Sequence, residues 1–337
     1  MIGALFHRWE RQLASVDTNR VVLPFDWGLD WIGAKANGVA PGVAMAAWSR
    51  HAMASSDRFF AVPATDAFTR VGDRLTFPSA LVTPHVENNT VHVRIVQPRS
   101  LKPPADQPVV VVLPQWNADE GGHVGLCEVF ARFGVMALRL SLPFHDVRRP
   151  PELKRAEYIV SANVGRTAQA CRQAVFDVKR TIDWLTLQGY RRIGIMGTSL
   201  GSCLAMLTMA HDARIQAGAF NHVSPYFADV VWRGLSTSHV RQGLDGHITL
   251  DELRDYWMPI SPFPFIDRIG NRRTLLVYAR YDLTFPVDLS RQFVDEFDRR
   301  GVRHDLAVLP CGHYSTGKAP FKFLDGYVLT KFLVKNL

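Results

Sequence analysis

Several things are scarce in this sequence. It holds four cysteines, Cys127, Cys171, Cys203 and Cys311, with no CxxC spacing. That pattern excludes a disulfide scaffold and a thiolate metal cluster, and buried free thiols in a reducing compartment are the expectation. No apolar run approaches the ~18 residues of a membrane span. Met1 to Val16 carries Arg8, Glu10 and Arg11 and lacks an apolar signal core, so a cytoplasmic location is expected. Long blocks of like charge are missing too. The net charge is +8, from 39 basic and 31 acidic side chains, but the basic residues stand singly or in pairs such as Arg148-Arg149 and Arg191-Arg192. Charge spread in this way is a solvated surface, and nucleic acid is not an expected partner. HxH and HExxH spacings are also absent. His123, His145 and His222 therefore read as structural or substrate-contact residues, with no catalytic metal. The stretch His145-Asp146-Val147-Arg148-Arg149 reads as a loop that anchors the rim through Asp and Arg pairing.

What is present is an ample core, 47% hydrophobic over 337 residues, and a sharp local signal. Ile193 to Met196 is a short apolar run that breaks into Gly197-Thr198-Ser199-Leu200-Gly201, and the apolar stripe Leu200, Cys203, Leu204 and Leu207 follows at helical spacing. This is a strand, a tight turn and a helix, with Ser199 at the tip. A GxSxG arises by chance in on the order of one in ten chains of this length, so its context must carry the weight.

The rest of the chain supplies that context. Leu75 to Val82 and Val91 to Val96 alternate as a hairpin would, around a polar turn at Glu87-Asn88-Asn89. Val109 to Leu113 is a β-branched run suited to a strand buried on both faces. Strands at Val135 to Leu140, Gln216 to Phe220, Thr274 to Tyr278 and His304 to Leu309 are separated by helices at Val124 to Phe133, Val164 to Leu185 and Leu289 to Arg300, with a last helix over Pro320 to Leu337. Such alternation predicts an α/β fold: a mostly parallel central sheet with an antiparallel N-terminal hairpin and helices on both faces. Reactive groups in such sheets gather at the carboxyl ends of the strands. Two late loops of that kind hold Tyr281-Asp282-Leu283-Thr284 and Cys311-Gly312-His313-Tyr314. His313 sits behind a glycine that would permit a sharp turn. Asp288 is the other acid to weigh, but its place near a helix start suits capping better.

Acyl transfer from a serine needs these three residue types. The hydroxyl of Ser199 is too weak an acid to ionise alone, His313 would take its proton, and Asp282 would fix the imidazole tautomer. The order Ser, Asp, His and the GTSLG, YDLTFP and CGHY segments resemble the α/β-hydrolase superfamily from about Leu75 onward. The style is nearest to dienelactone-hydrolase and acetyl-esterase enzymes. That resemblance implies an α/β-hydrolase fold and a serine hydrolase acting on a small acyl or ester substrate through an acyl-enzyme, with no cofactor. A thioesterase or peptidase on the same triad is the alternative, as is a non-catalytic hydrolase-like scaffold that binds a ligand.

One segment departs from the family. Superfamily members present an HG pair after the strand matching Val109 to Leu113, whereas this chain reads Pro114-Gln115-Trp116-Asn117. The oxyanion donors expected are the backbone N–H groups of Leu200 and, by position, Trp116, with Gln115 and Asn117 as competitors for the second place. Substrate contacts are expected from Gln115, Asn117, His222 and Tyr226. The last two open a helical cap insertion at about 221–270, marked by Phe227, Val230, Val231 and Trp232 and by a capping box from Thr249 to Glu252. The hydrolase domain is read as 71–337. Residues 1–70 are read as an N-terminal extension packed on that core or as a dimer contact, with Phe6, Trp9 and Leu13 along one face of a helix.

Overall fold

The computed structural model describes residues 2–337. Three helices, α1 (Ile2–Ala14), α2 (Pro41–Ala54) and α3 (Ser56–Phe59), precede β1 (Thr69–Val71), β2 (Arg74–Pro78) and β3 (Thr90–Val96). Then strand and helix alternate: β4 (Pro108–Leu113), α4 (Val124–Arg132), β5 (Met136–Leu140), α5 (Val164–Leu187), β6 (Arg192–Thr198), α6 (Leu200–Ala210) and β7 (Ile215–Asn221). The insertion α7 (Phe227–Arg233), α8 (Ser238–Leu244) and α9 (Leu250–Tyr256) follows, and β8 (Arg273–Ala279), α10 (Val287–Arg299), β9 (Asp305–Leu309) and α11 (Phe321–Asn336) close the chain.

The nine strands form one sheet in the order β1-β2-β3-β5-β4-β6-β7-β8-β9. Pairing is antiparallel from β1 through β3 to β5 and parallel from β5 onward. Every residue of β4 is buried, and its side chains divide by parity. Val109, Val111 and Leu113 join the larger core with α5 and α6, while Val110 and Val112 face the smaller one with α4 and α11. A strand covered on both faces must read as continuous apolar sequence, which is why this segment is so plain. Helix α5 begins where Asn163 Oδ1 accepts the Arg166 N–H at 2.8 Å, and Gly189, at φ +85°, turns the chain just past its end. Among the described residues no helix is long and apolar enough to cross a membrane.

The hairpin differs from expectation. Strand β2 stops at Pro78, and Asn88 is no surface turn residue but is wholly buried, accepting the Phe144 N–H and donating to Gln173 Oε1. The segment between the strands folds inward because the core offers it polar partners: Ser79 Oγ donates to Asp177 at 2.7 Å. The loop 145–149 is anchored by Asp and Arg pairing, as expected. Asp146 pairs with Arg139 of β5, and Arg148 reaches Asp177 of α5 at 2.9 Å, both arginines being buried. Its charges anchor it to the sheet and to α5. The N-terminal segment contributes Met45, Ala52, Phe59 and Phe60 to the larger core. All four cysteines are free and buried.

Candidate active site

Ser199 occupies the turn between β6 and α6 with φ +57° and ψ −120°. That conformation is sparsely populated for a residue with a Cβ, and it persists because the flanking glycines let strand and helix close on each other. A Cβ on Gly197 would lie 2.0 Å from the Gly201 carbonyl oxygen, and one on Gly201 would lie 2.3 Å from the Leu113 oxygen. The GxSxG pattern is thus a clearance requirement against α6 and the end of β4.

His313 Nε2 lies 3.1 Å from Ser199 Oγ, and His313 Nδ1 lies 2.9 Å from Asp282 Oδ2. A carboxylate only accepts, so Nδ1 carries the proton and Nε2 presents its lone pair to the serine. Asp282 is itself held: its Oδ1 accepts the Thr284 and Phe285 N–H groups at 2.7 Å each. Phe285 in turn stacks on the His313 ring, 5.3 Å between centroids and 6° from parallel. Asp288 stands apart on α10, paired with Arg233.

His222 is more deeply engaged than expected. It is 1% exposed, has φ +62°, and its Nδ1 lies 2.9 Å from the same Asp282 Oδ2 that His313 meets. The two imidazoles approach to 4.3 Å between centroids. Burial alone would raise the Asp282 pKa, but the paired imidazoles of His313 and His222 outweigh it and hold the carboxyl well below the usual range. The same three side chains have the ligand atoms closest to a metal-binding arrangement among the described residues. Their hydrogen bonds account for that closeness.

The loop after β4 separates its residues. The Asn117 N–H donates to His145 Nε2 at 3.0 Å and its Oδ1 accepts the Ala156 N–H, so both groups are already engaged, while the residue lines, beside Gln115 and Trp116, the cavity that holds Ser199. The Trp116 ring stacks on His239 of α8 at 5.7 Å and 3°, with Nε1 donating to the Ala156 oxygen. No partner takes the Trp116 or Leu200 backbone N–H among the described residues. Burial drops the His145 and His123 pKa values to about 4. His145 donates Nδ1–H to the Pro143 oxygen, and His123 Nε2 meets Thr198 Oγ1 at 2.9 Å. Both also line that cavity.

Ser199 and His313 open on a cavity of about 730 Å³ beneath the cap. Met206, Phe227, Val230 and Val231 give it an apolar wall, and Gln115, Trp116, His222 and Tyr226 also line it. Tyr226 packs on Phe263 at 4.7 Å. Trp257, by contrast, is wholly buried and ties the cap down through Nε1–H to the Val164 oxygen.

Glu10 was not legible as a site residue. It lies on α1, is wholly buried, and accepts the Tyr314 and Ser315 N–H groups. Its one sequence signal is position, between Phe6 and Leu13 on an otherwise apolar helix face.

This strand order, with a serine turn after a central parallel strand and the acid and histidine in later loops, has counterparts of known structure. The chain has the α/β-hydrolase fold. An acetyl xylan esterase from Paenibacillus sp. R4 superposes with a TM-score of 0.62 at 15% identity, over 97% of this chain and 99% of that one. The acylaminoacyl peptidase of Pyrococcus horikoshii gives 0.62 at 15% identity over 81% of this chain, which spans 42% of the peptidase. The esterase Pf2001 of Pyrococcus furiosus gives 0.55 at 14% identity, over 82% of this chain and 97% of that one. No protein-family model and no curated protein matches the sequence.

Proposed function

We propose that this α/β-hydrolase-fold protein is a serine hydrolase that cleaves a small carboxylic ester through an acyl-enzyme. The observation that carries this reading is the continuous hydrogen-bonded line from Ser199 Oγ through His313 to Asp282 at the wall of the cavity. Ser199 Oγ attacks the ester carbonyl while His313 Nε2 takes its proton. The oxyanion of the tetrahedral intermediate lies against the Leu200 and Trp116 backbone N–H groups, two fixed donors that together contribute several kcal/mol. Collapse breaks the bond to the alcohol, which receives the proton from His313. Water then repeats the sequence on the acyl-enzyme, with His313 as base, and releases the acid. Asp282 keeps the Nδ1–H tautomer and stabilises the imidazolium formed in each half.

The apolar wall of Phe227, Val230 and Val231 suits the hydrocarbon part of an ester, and the size of the cavity falls within the range of small-molecule sites. Support also comes from the two esterases among the similar structures, one of them alike over 97% of this chain. Incubation with a fluorophosphonate is expected to modify the protein stoichiometrically, and Ser199→Ala to abolish that modification together with hydrolysis of p-nitrophenyl esters. A folded wild type that neither labels nor hydrolyses any ester in a panel of increasing acyl length would overturn the reading.

A further inference from the structure

Helix α1 is separated in sequence from the reactive side chains by most of the chain, yet it touches the loops of both His313 and Asp282. Glu10 is 0% exposed, its Oε2 accepting the Tyr314 N–H at 2.8 Å and its Oε1 the Ser315 N–H at 2.9 Å. Those amides directly follow His313. On the other side of His313, a Cβ on Gly312 would fall 2.3 Å from Glu10 Cδ. Gly312 is not among the positive-φ glycines, so clearance for Glu10 requires glycine there, and the sharp turn expected from the sequence does not. One turn earlier on α1, Phe6 stacks on Tyr281 at 4.5 Å and 9°, and Tyr281 precedes Asp282. Just beyond the helix, Arg20 donates to the Tyr314 hydroxyl at 2.8 Å.

A carboxyl group this deeply buried is tolerated only with strong partners, and two aligned amides bonding separate oxygens are of that kind. They fix the backbone on which His313 must hold Nε2 at 3.1 Å from the serine and Nδ1 at 2.9 Å from Asp282. A displacement of about 1 Å in such a constellation costs on the order of 10²-fold in rate.

We propose that Glu10 is a positioning residue for His313, and that α1 is therefore a working part of the active site. The proposal rests on the reading of Ser199, His313 and Asp282 as a catalytic triad. Its test compares the full-length wild type with Ser199→Ala, Glu10→Gln, Glu10→Asp and Gly312→Ala. Glu10→Gln preserves volume but turns an amide NH₂ toward a backbone N–H. It is expected to lower kcat for p-nitrophenyl acetate about 10- to 100-fold and fluorophosphonate labelling rate in proportion, with KM within about twofold. The final labelled fraction should equal that of the wild type. Glu10→Asp, which keeps the charge one methylene short, is expected to recover part of kcat. Gly312→Ala displaces the same carboxylate and should reproduce the loss, and it carries the same readout if Glu10→Gln fails to fold. Combined with Glu10→Gln it should add little. Variants that lose thermal stability but keep the wild-type kcat per labelled serine would overturn the proposal, because Glu10 would then only secure the fold. An active wild type with unimpaired variants overturns this inference alone, whereas an inert wild type that resists labelling overturns the triad reading with it.

Discussion

The Asp282 carboxylate meets four donors, and they divide by oxygen: two backbone amides on Oδ1, two imidazoles on Oδ2. Two histidines on one carboxylate oxygen raise the question of which would serve as the base in the proposed reaction, and the contacts of Ser199 favour His313. The hydrogen bonds of Ser199 Oγ include His313 Nε2 but no atom of His222. His313→Ala and Asp282→Asn should therefore lower turnover by about 10⁴, the latter by forcing the wrong imidazole tautomer. His222→Asn, which suits a positive φ and can still donate to Asp282, should keep turnover within about tenfold. Equal losses in His222→Asn and His313→Ala, measured as kcat/KM, would overturn the assignment. At this scale Ser199, Asp282 and His313 were legible from order and loop placement, because each follows a strand that its own sequence declares. The sharing of Asp282 by His222 was not, since nothing local to Asn221-His222-Val223 specifies which of the neighbouring loops the ring will meet. The hydrogen bonds of Asn117 were not legible for a related reason: its amide groups answer to His145 and Ala156, 28 and 39 residues away.

Among the elements, the strand–turn–helix of β6, Ser199 and α6 fits its neighbours without slack. A Cβ on Gly201 would meet the Leu113 and Pro114 oxygens at 2.3 and 2.5 Å, both of them backbone atoms that cannot turn aside. Alanine is the better helix former, yet here it drives α6 away from the loop that carries Trp116. Gly201→Ala is expected to cost about 1–3 kcal/mol in urea unfolding and to slow fluorophosphonate labelling, because the Leu200 and Trp116 N–H groups proposed as oxyanion donors would move apart. A variant as stable and as quickly labelled as the wild type would show that the loop yields freely. The parallel strands were the most legible elements, since burial on both faces leaves an unbroken apolar run. Segment 79–89 was the least: its polar residues carry turn chemistry in sequence and core hydrogen bonds in the fold. Helix α1 lies between these cases. Its apolar stripe was readable, but the carboxyl group within that stripe finds its amides 304 and 305 residues later.

Across the whole molecule, buried ionisable groups set how stability responds to pH. Burial is the main cause that pushes the pKa values of His123, His145, His211 and His239 down to about 4. In the unfolded chain these rings take up protons below about pH 6.5, while the native rings stay neutral, so stability present above that pH drains away as pH falls toward 4. For His145, which is 1% exposed, the loss amounts to about 2 kcal/mol by pH 5. Three carboxyl groups work in the opposite sense: burial raises Asp177, takes Glu157 to about 7 and takes Asp325 to about 6, so their native forms protonate first and stability is regained as pH falls through their raised pKa values. With His92, which burial also lowers, five depressed histidines stand against three raised acids, and the balance between pH 7 and pH 5 is a loss. The Tm is accordingly expected to fall across that interval, and His145→Gln, with its oxygen turned to the Asn117 N–H, should start lower at pH 7 but decline less steeply. A wild-type Tm that holds or rises toward pH 5 would mean that the imidazoles gain protons in place, and that the loop bearing Trp116 does not depend on a neutral His145.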